Sequence, residues 1–590
     1  MITRGGIKLF GVAGAGKTTA CMKILMEFLG TNTDLSSELK EKIKQADIKN
    51  LEITDIAFTS FTKASITSIT EKINEESNII IPKHSESWIR TLNSATWKLS
   101  NFNETNFITK KKLVTFFKSQ NIEFEREEGE EQMSAGELIQ DIYNSLLNTL
   151  GRGVNRLSDS EIELFLIEDY QKKNFQVFEN YNVDFLIAKL RTYDEWKIEN
   201  NLKDYIDSLI FVLENKIDIP CKILIVDEAQ DLSFIQTKIV DMWIEDFNKD
   251  FFIIAGDDDQ TVHEWNGAKP EYLIKVNCEN MLNHKLERTY RMPLNVSMFC
   301  NEILKMINYR ERKTITSKKP DGDIIYNPNY SIYNLNLFLD NYDKSSETSF
   351  LLFRTNKAKE IASNFFFNQT NLIFGDLNGR GRYTKKLIMV SNALNKIDHK
   401  QGLTKQELSY LFECLPTKTC LIFGSKSKVI KSDKSFYKFE EVLDLTKLWK
   451  PQKTLDNSDF KDSLKENIIK YLQYVSINKN DVENIKKNEM YLLKFKNIKT
   501  QIKYNENDKK SYCNIMLGTY HASKGLQADN VFVFLGTSEY FKHINDSELR
   551  CFYVACSRTI KRLFLISSQK NEKPYLEEHF KDLIMSMRNF

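Results

Sequence analysis

Short apolar runs that stop abruptly in polar or glycine-rich segments punctuate this chain. Ile7-Lys8-Leu9-Phe10 leads into a glycine loop and then into Thr18-Thr19-Ala20-Cys21-Met22-Lys23-Ile24-Leu25, a succession that predicts buried strand, loop and helix. Residues 53–58, Ile223-Leu224-Ile225-Val226 and Phe251-Phe252-Ile253-Ile254-Ala255 predict further strands of the same parallel sheet. Each run ends in polar residues, at the edge where open α/β sheets normally hold their ligands. From about 101 to 204 the sequence becomes charged, with three-to-four spacing over 161–168 and 185–199, which predicts an inserted helical subdomain. A second set of strands is predicted at Ser349-Phe350-Leu351-Leu352-Phe353, Asn514-Ile515-Met516-Leu517, Val531-Phe532-Val533-Phe534-Leu535 and 562–566. Residues 401–509 interrupt that second core with Lys-rich, weakly periodic sequence, most clearly over 426–438, and no short-period repeat is present. The expected division is a first α/β core from 1–100 and 205–283 around the 101–204 insertion, and a second from 284–400 and 510–590 around the 401–509 insertion.

Two segments carry recognisable chemistry. Gly11-Val12-Ala13-Gly14-Ala15-Gly16-Lys17-Thr18 fits the phosphate-binding loop, in which glycines let backbone N–H groups wrap phosphates at a helix N-terminus. Lys17 is expected at the β- and γ-phosphates of ATP and Thr18 at Mg²⁺, with Gly11, Ala13, Gly14, Ala15, Gly16 and Thr19 completing the nucleotide cradle. A chance match is the plain alternative, but the strand before the loop and the helix after it speak against it. Ile225-Val226-Asp227-Glu228-Ala229-Gln230-Asp231 ends a buried strand with two acids, placing Asp227 as the metal carboxylate and Glu228 as the base for an attacking water. Alone, this could be a solvated acidic turn; beside the phosphate loop it reads as hydrolytic machinery.

At this point the sequence resembles the UvrD/Rep (PcrA-like) branch of superfamily 1 DNA helicases. DEAQD at 227–231 and GDDDQ at 256–260 look like motifs II and III, Thr59-Ser60-Phe61-Thr62-Lys63-Ala64 like motif Ia, and Thr91-Leu92-Asn93-Ser94 like the next DNA-contacting segment. Leu286-Glu287-Arg288-Thr289-Tyr290-Arg291 resembles motif IV, 519–526 motif V and 549–558 motif VI. The resemblance implies two RecA-like parallel-sheet P-loop NTPase domains sharing one ATP, each with a mainly helical or mixed accessory insertion. It implies that Gln260 senses the γ-phosphate and that Arg291 and Arg558 act as arginine fingers, a class of contact that can contribute about 10³–10⁵ in rate. Tyr290 matches the aromatic that stacks on adenine, and Gln527 is placed at the nucleotide. Trp265 matches the motif III aromatic on which a base stacks, and Thr59, Lys63, Thr91, His521 and Ser523 are candidate phosphate contacts. For several of these, a core Trp, a surface Arg pair or a solvated cap is the simpler reading when the residue is taken singly.

The sequence also departs from the family pattern. Only residues 1–6 precede the first strand, where the family carries a glutamine that reads adenine. His263 and Asn266 replace the usual Tyr and Arg of motif III, Asn93 stands where His is common, and Gln527 where an acid is common.

Composition changes this picture little. At 590 residues the chain has room for several cores, and 83 Lys and Arg against 81 Asp and Glu leave any grip on nucleic acid to local basic grooves. Nine scattered cysteines lack the paired spacing of a zinc or redox site and are expected to be reduced thiols of a cytosolic protein. No signal peptide, membrane span or fused nuclease is expected. The expected function is 3′→5′ ATP-dependent translocation on single-stranded DNA with unwinding at duplex junctions. The alternatives are a translocase that remodels protein–DNA complexes and, more remotely, a P-loop kinase or nucleotide switch. Replacing Trp265 with Ala should leave basal ATPase largely present and lower its stimulation by single strands; unchanged stimulation would assign Trp265 to packing.

Overall fold

The structure is a computed structural model that describes residues 5–61, 63–77, 79, 81–82, 86–124, 134–170, 181–247, 249–262, 264, 267–278, 280–327, 339, 347–369, 374–377, 393, 396, 401–414, 424–432, 434–445, 502–505, 510–513, 515–536, 545–567 and 580. It divides into two compact units, the first comprising 1–125, 132–323 and 543–557, the second 126–131, 324–542 and 558–590.

The first unit is built on a six-stranded sheet of β1 (Gly5–Gly11), β2 (Ile56–Ser60), β3 (Ile89–Thr91), β4 (Ile223–Val226), β5 (Phe251–Gly256) and β6 (Met281–Leu286), in the order β3-β2-β4-β5-β1-β6. Every pairing is parallel. The register aligns Phe58, Ile225, Ile253 and Ile7 in one row across four strands. That row belongs to one apolar core, while Ala57, Leu224 and Phe252, one residue earlier on each strand, belong to another on the opposite face. Strands covered on both faces must be apolar throughout, which is why their runs do not alternate.

Helices α1 (Lys17–Phe28), α2 (Ser37–Gln45) and α3 (Lys63–Glu76) follow the first two strands, and α4 (Leu92–Ser100) follows β3. The segment expected to be helical contains α5 (Lys110–Ser119), α6 (Ala135–Leu150), α7 (Asp159–Leu164) and α8 (Val183–Glu199), followed by α9 (Tyr205–Glu214). Ser134 with Glu137, Ser158 with Glu161 and Asp204 with Asp207 form capping boxes that start α6, α7 and α9, each satisfying amide groups that the first turn leaves free. These helices share one continuous core with a face of the sheet, so the insertion is packed onto the first unit. Inside it, the Lys197 ammonium is buried and paired with Asp204 at 3.0 Å and Asp207 at 2.9 Å, and the Tyr143 hydroxyl donates to Asp194 at 2.5 Å.

The first unit also holds α10 (Phe234–Glu245), α11 (Pro270–Lys275), the short parallel pair β7 (Arg288–Thr289) and β8 (Thr316–Ser317), and α12 (Leu294–Lys305). Its boundary therefore falls at 323, where the sequence suggested 283. The cause is that β6 hydrogen-bonds to β1 as the last strand of the first sheet, carrying the chain that follows with it.

The second unit has its own six-stranded sheet, ordered β11-β16-β10-β17-β18-β9, from β9 (Asp323–Asn327), β10 (Ser349–Phe353), β11 (Phe374–Asp376), β16 (Ile515–Thr519), β17 (Ala528–Phe534) and β18 (Thr559–Ile566), with α13 (Asn356–Gln369) after β10. The pairings of β10, β11, β16, β17 and β18 are parallel. Within 401–445, the two-residue strands β12 (Leu403–Thr404) and β13 (Phe436–Tyr437) pair antiparallel beside α14 (Lys405–Cys414), α15 (Ser425–Lys431) and α16 (Phe439–Asp444). β14 (Ile502–Asn505) and β15 (Lys510–Cys513) form an antiparallel pair, and 446–501, most of the remaining expected insertion, lies outside the described residues. The last helix, α17 (Asp546–Cys556), was expected with the second core but belongs to the first unit, where Phe552 meets Phe299 of α12 edge-on and Asp546 accepts from the amides of Asn308 and Tyr309.

Removing the Lys197 ammonium would leave the half-buried Asp204 and Asp207 carboxylates without their shared cation. Lys197→Met should destabilise the helical segment by about 3–5 kcal/mol, read as faster amide hydrogen exchange in α8 and α9.

Candidate active site

The carboxyl ends of β1, β4 and β5, adjacent in the first sheet, gather the predicted chemistry of this unit. After β1 the chain turns through Gly14 and Gly16 at φ 73 and 78, left-handed conformations natural to glycine. A side chain at Gly14 would also collide, since a Cβ there would lie 2.6 Å from that of Arg291. The loop is stitched to the 286–291 segment: Val12 N–H donates to Leu286 O at 3.1 Å, Thr289 Oγ1 to Ala13 O at 2.8 Å and Tyr290 N–H to Gly14 O at 2.9 Å. From α17, the Tyr553 hydroxyl accepts the Ala13 N–H at 3.2 Å. The buried Lys17 ammonium donates to Gly11 O at 3.0 Å, folded back over its own loop.

Thr18 Oγ1 donates to Asp227 Oδ2 at 2.6 Å, which joins the phosphate loop directly to the acidic strand end. Asp227 is fully buried, and burial together with the neighbouring Glu228 carboxylate pushes its pKa up to about 7. Such a carboxylate beside a hydroxyl fits a hard divalent cation, whose charge would relieve that cost. Glu228 adopts φ 56 and ψ 40, a left-handed conformation costing a side-chain-bearing residue about 1–3 kcal/mol. Gln230 Nε2 donates to Glu228 at 2.6 Å, and Gln230 Oε1 accepts the Asp257 N–H at 3.0 Å, so one amide side chain ties the ends of β4 and β5 together.

After β5, Asp257, Asp258 and Asp259 are all buried and close enough to suggest a metal site. Their cation is a side chain of the protein: Lys313 Nζ lies 3.0 Å from Asp257 and 3.1 Å from Asp259, with Asp258 its third partner. Arg310 forks onto both oxygens of Asp259 at 2.7 Å, while Gln260 Nε2 donates to Asp257 Oδ2 at 2.5 Å. Arg291 Nη1 donates to Ser557 O at 3.2 Å, and burial lowers its pKa.

Residues 2–280 match the UvrD/REP helicase N-terminal domain family. The chain is 24% identical to a probable DNA helicase II homolog of Mycoplasma pneumoniae over 88% of its own length and 78% of that protein's. It is 21% identical to the ATP-dependent DNA helicase PcrA of Staphylococcus epidermidis, over 96% of this chain and 82% of the other. A shorter match, 33% over 99 residues, joins it to the ATP-dependent DNA helicase Rep of Buchnera aphidicola, covering 16% of this chain and 15% of Rep. Residues 2–280 of the chain therefore belong to the UvrD/REP helicase N-terminal domain family.

The remaining candidate residues of the helicase are placed unevenly. Tyr290 is 62% exposed, with the Arg288 guanidinium 5.0 Å from its ring centre. Thr19 lies in the first turn of α1 and is half-buried, and Gln527 is exposed just before β17. Arg558, at the start of the segment leading into β18, is buried, and its carbonyl accepts from the Ala528 N–H at 3.1 Å. Trp265, His263 and Asn266 lie outside the described residues, as does the side chain of Lys63. Thr91 caps α4, accepting from the Ser94 N–H at 3.3 Å, and remains half-buried. His521 is partly buried, and burial, aided by Arg354 and Lys524, lowers its pKa to about 4, leaving a neutral ring at pH 7.

Two expected DNA contacts are buried in the structure. Thr59 has no exposed surface, because it sits inside β2 with its hydroxyl donating to Ile225 O at 3.3 Å. Ser523 is equally buried, its hydroxyl donating to Tyr520 O at 2.7 Å within a tight turn. The structure also reveals groups the motifs did not single out. Thr289 and Tyr553 brace the phosphate loop, Arg310 and Lys313 neutralise the triple acid, and Arg550 spans Glu264 at 3.2 Å and Tyr309 O at 2.6 Å. Tyr553 and Arg550 stand in the motif VI stretch and could have been flagged there. Lys313 sits about fifty residues from its partners with no periodic signal.

Lys17→Ala should nearly abolish ATP turnover with the fold intact. Glu228→Gln should keep nucleotide binding but slow hydrolysis by about 10²–10⁴-fold. Fluorescent-nucleotide titration and phosphate release measure the two separately, and parental turnover in either variant would overturn its assignment.

Proposed function

We propose that this ATP-dependent DNA helicase moves 3′→5′ along single-stranded DNA and separates strands at duplex junctions, with hydrolysis carried out by the site at the ends of β1 and β4. The observation that supports the reading is the 2.6 Å contact between Thr18 and Asp227, which joins the phosphate loop to the acidic strand end. Support for direction comes from the resemblance of motifs Ia to VI to the UvrD/Rep branch.

On this reading, Lys17 exchanges its contact with Gly11 for the phosphates of ATP, and the loop amides and α1 N-terminus receive the rest of their charge. Thr18 and Asp227 would hold Mg²⁺, which when bound neutralises charge on the phosphates. Glu228, kept in place by Gln230, accepts the proton of the attacking water. Gln260 senses the γ-phosphate, Arg291 and Arg558 offset the charge that develops during transfer, and Tyr290 stacks on the base. Single-stranded DNA is gripped at Trp265, with Lys63, Thr91 and His521 as further contacts, while Thr59 and Ser523 act by shaping their turns.

Unwinding of 3′-tailed and 5′-tailed duplexes with ATP and Mg²⁺ tests the proposal. Release is expected from the 3′-tailed substrate alone and is expected to vanish in Lys17→Ala. Release only from the 5′-tailed substrate would reverse the direction. DNA-stimulated ATPase without release would instead identify a remodelling translocase.

A further inference from the structure

The feature of this unit least explained by nucleotide chemistry is the ammonium of Lys313. It has no solvent exposure, and neither do the three carboxylates around it. The short segment that carries it addresses all three acids: Arg310 grips Asp259, the Glu311 N–H donates to Asp258 Oδ2 at 2.7 Å, and Lys313 reaches Asp257, Asp258 and Asp259 together. Burying so many charges is a poor way to gain stability, since apolar residues of similar volume would serve at least as well. What charges add is direction. Asp257 offers Oδ1 to Lys313 at 3.0 Å and Oδ2 to the amide of Gln260 at 2.5 Å, so two consecutive contacts connect the lysine to Gln260. A carboxylate held by an ammonium on one oxygen cannot swing, and the amide bound to its other oxygen is fixed with it.

We propose that Lys313 is a positioning residue for ATP hydrolysis, setting the orientation of the Gln260 amide through Asp257 without touching the nucleotide. The proposal rests on the reading of Gln260 as the γ-phosphate sensor. Arg310 and the Glu311 amide secure the other two acids, and Asp257, whose Oδ1 also accepts the Asp259 N–H at 3.3 Å, stays aimed at Lys313 and Gln260. The lysine is raised above its ordinary pKa by the three carboxylates and stays charged throughout the working range, so its effect on turnover does not switch with pH.

The test uses the full chain and DNA-stimulated ATPase. Lys313→Met would leave the acids without their ammonium and is expected to unfold the unit, so Lys313→Arg, which keeps the charge but not its point geometry, is the informative variant. It should melt with the parent and keep KM for ATP, while kcat falls about tenfold to a hundredfold, the scale of a misplaced catalytic group. Asp257→Asn, which keeps the shape but not the charge, should lose kcat in the same way. Combined with Gln260→Ala, Lys313→Arg should cost nothing further, because both act on one group. Parental kcat in Lys313→Arg or Asp257→Asn, or losses that multiply in the double variant, would overturn the positioning role. If Gln260→Ala itself hydrolyses ATP at the parental rate, the γ-phosphate reading falls and the proposal with it. A damaged Gln260→Ala beside a silent Lys313→Arg removes Lys313 alone.

Discussion

Five carboxylates crowd the ends of two adjacent strands, and the rest of the catalytic half depends on how their charge is offset. Asp227 and Glu228 end β4, and Asp257, Asp258 and Asp259 end β5. Left alone, such a group would protonate or force the strands apart. The protein treats the two sets differently. The β5 acids receive resident cations, Lys313 and Arg310, and become a fixed structural block. The β4 acids have Lys17 and Arg291 nearby and Thr18 as a hydrogen-bond donor, and burial together with the Glu228 carboxylate pushes the Asp227 pKa up to about 7. A buried carboxylate raised in this way beside a second acid suits a pair that receives a cation and a water.

The strands of both cores were legible because doubly covered parallel strands must be apolar along their whole length, as over 223–226 and 251–255. The phosphate loop and the acid pair were legible for a related reason: their chemistry requires particular residues at close spacing within one stretch of chain. Contacts made over long sequence distances were not. Nothing around residue 313 announces a partner at 257–259, and nothing around 553 announces the amide of Ala13. Thr59 and Ser523 illustrate the opposite limit. A motif fixes where a polar residue falls in the chain, but a hydroxyl at a strand end can satisfy a neighbouring carbonyl as readily as a ligand, and burial decides between them.

The compact units divide the chain differently from the expected cores, for a physical reason. Residues 284–323 and helix α17 were expected with the second core, whereas the hydrogen bonds of β6 to β1 and the packing of Phe299 on Phe552 join them to the first unit. Helix α17 enters that unit from far along the sequence and, besides Phe552, touches it through Asp546, Arg550 and Tyr553. One rigid rod thereby contacts both the phosphate loop and Glu264, the residue next to Trp265.

The stitching of the phosphate loop to residues 286–291 has a mechanical meaning. Three hydrogen bonds, from Val12, Thr289 and Tyr290, make the loop and that segment a two-ply ribbon rather than a free coil. Arg291 is the next residue on the same ply. A displacement of the loop would therefore carry the backbone of Arg291 with it, so the phosphate loop and the root of that arginine move as one piece.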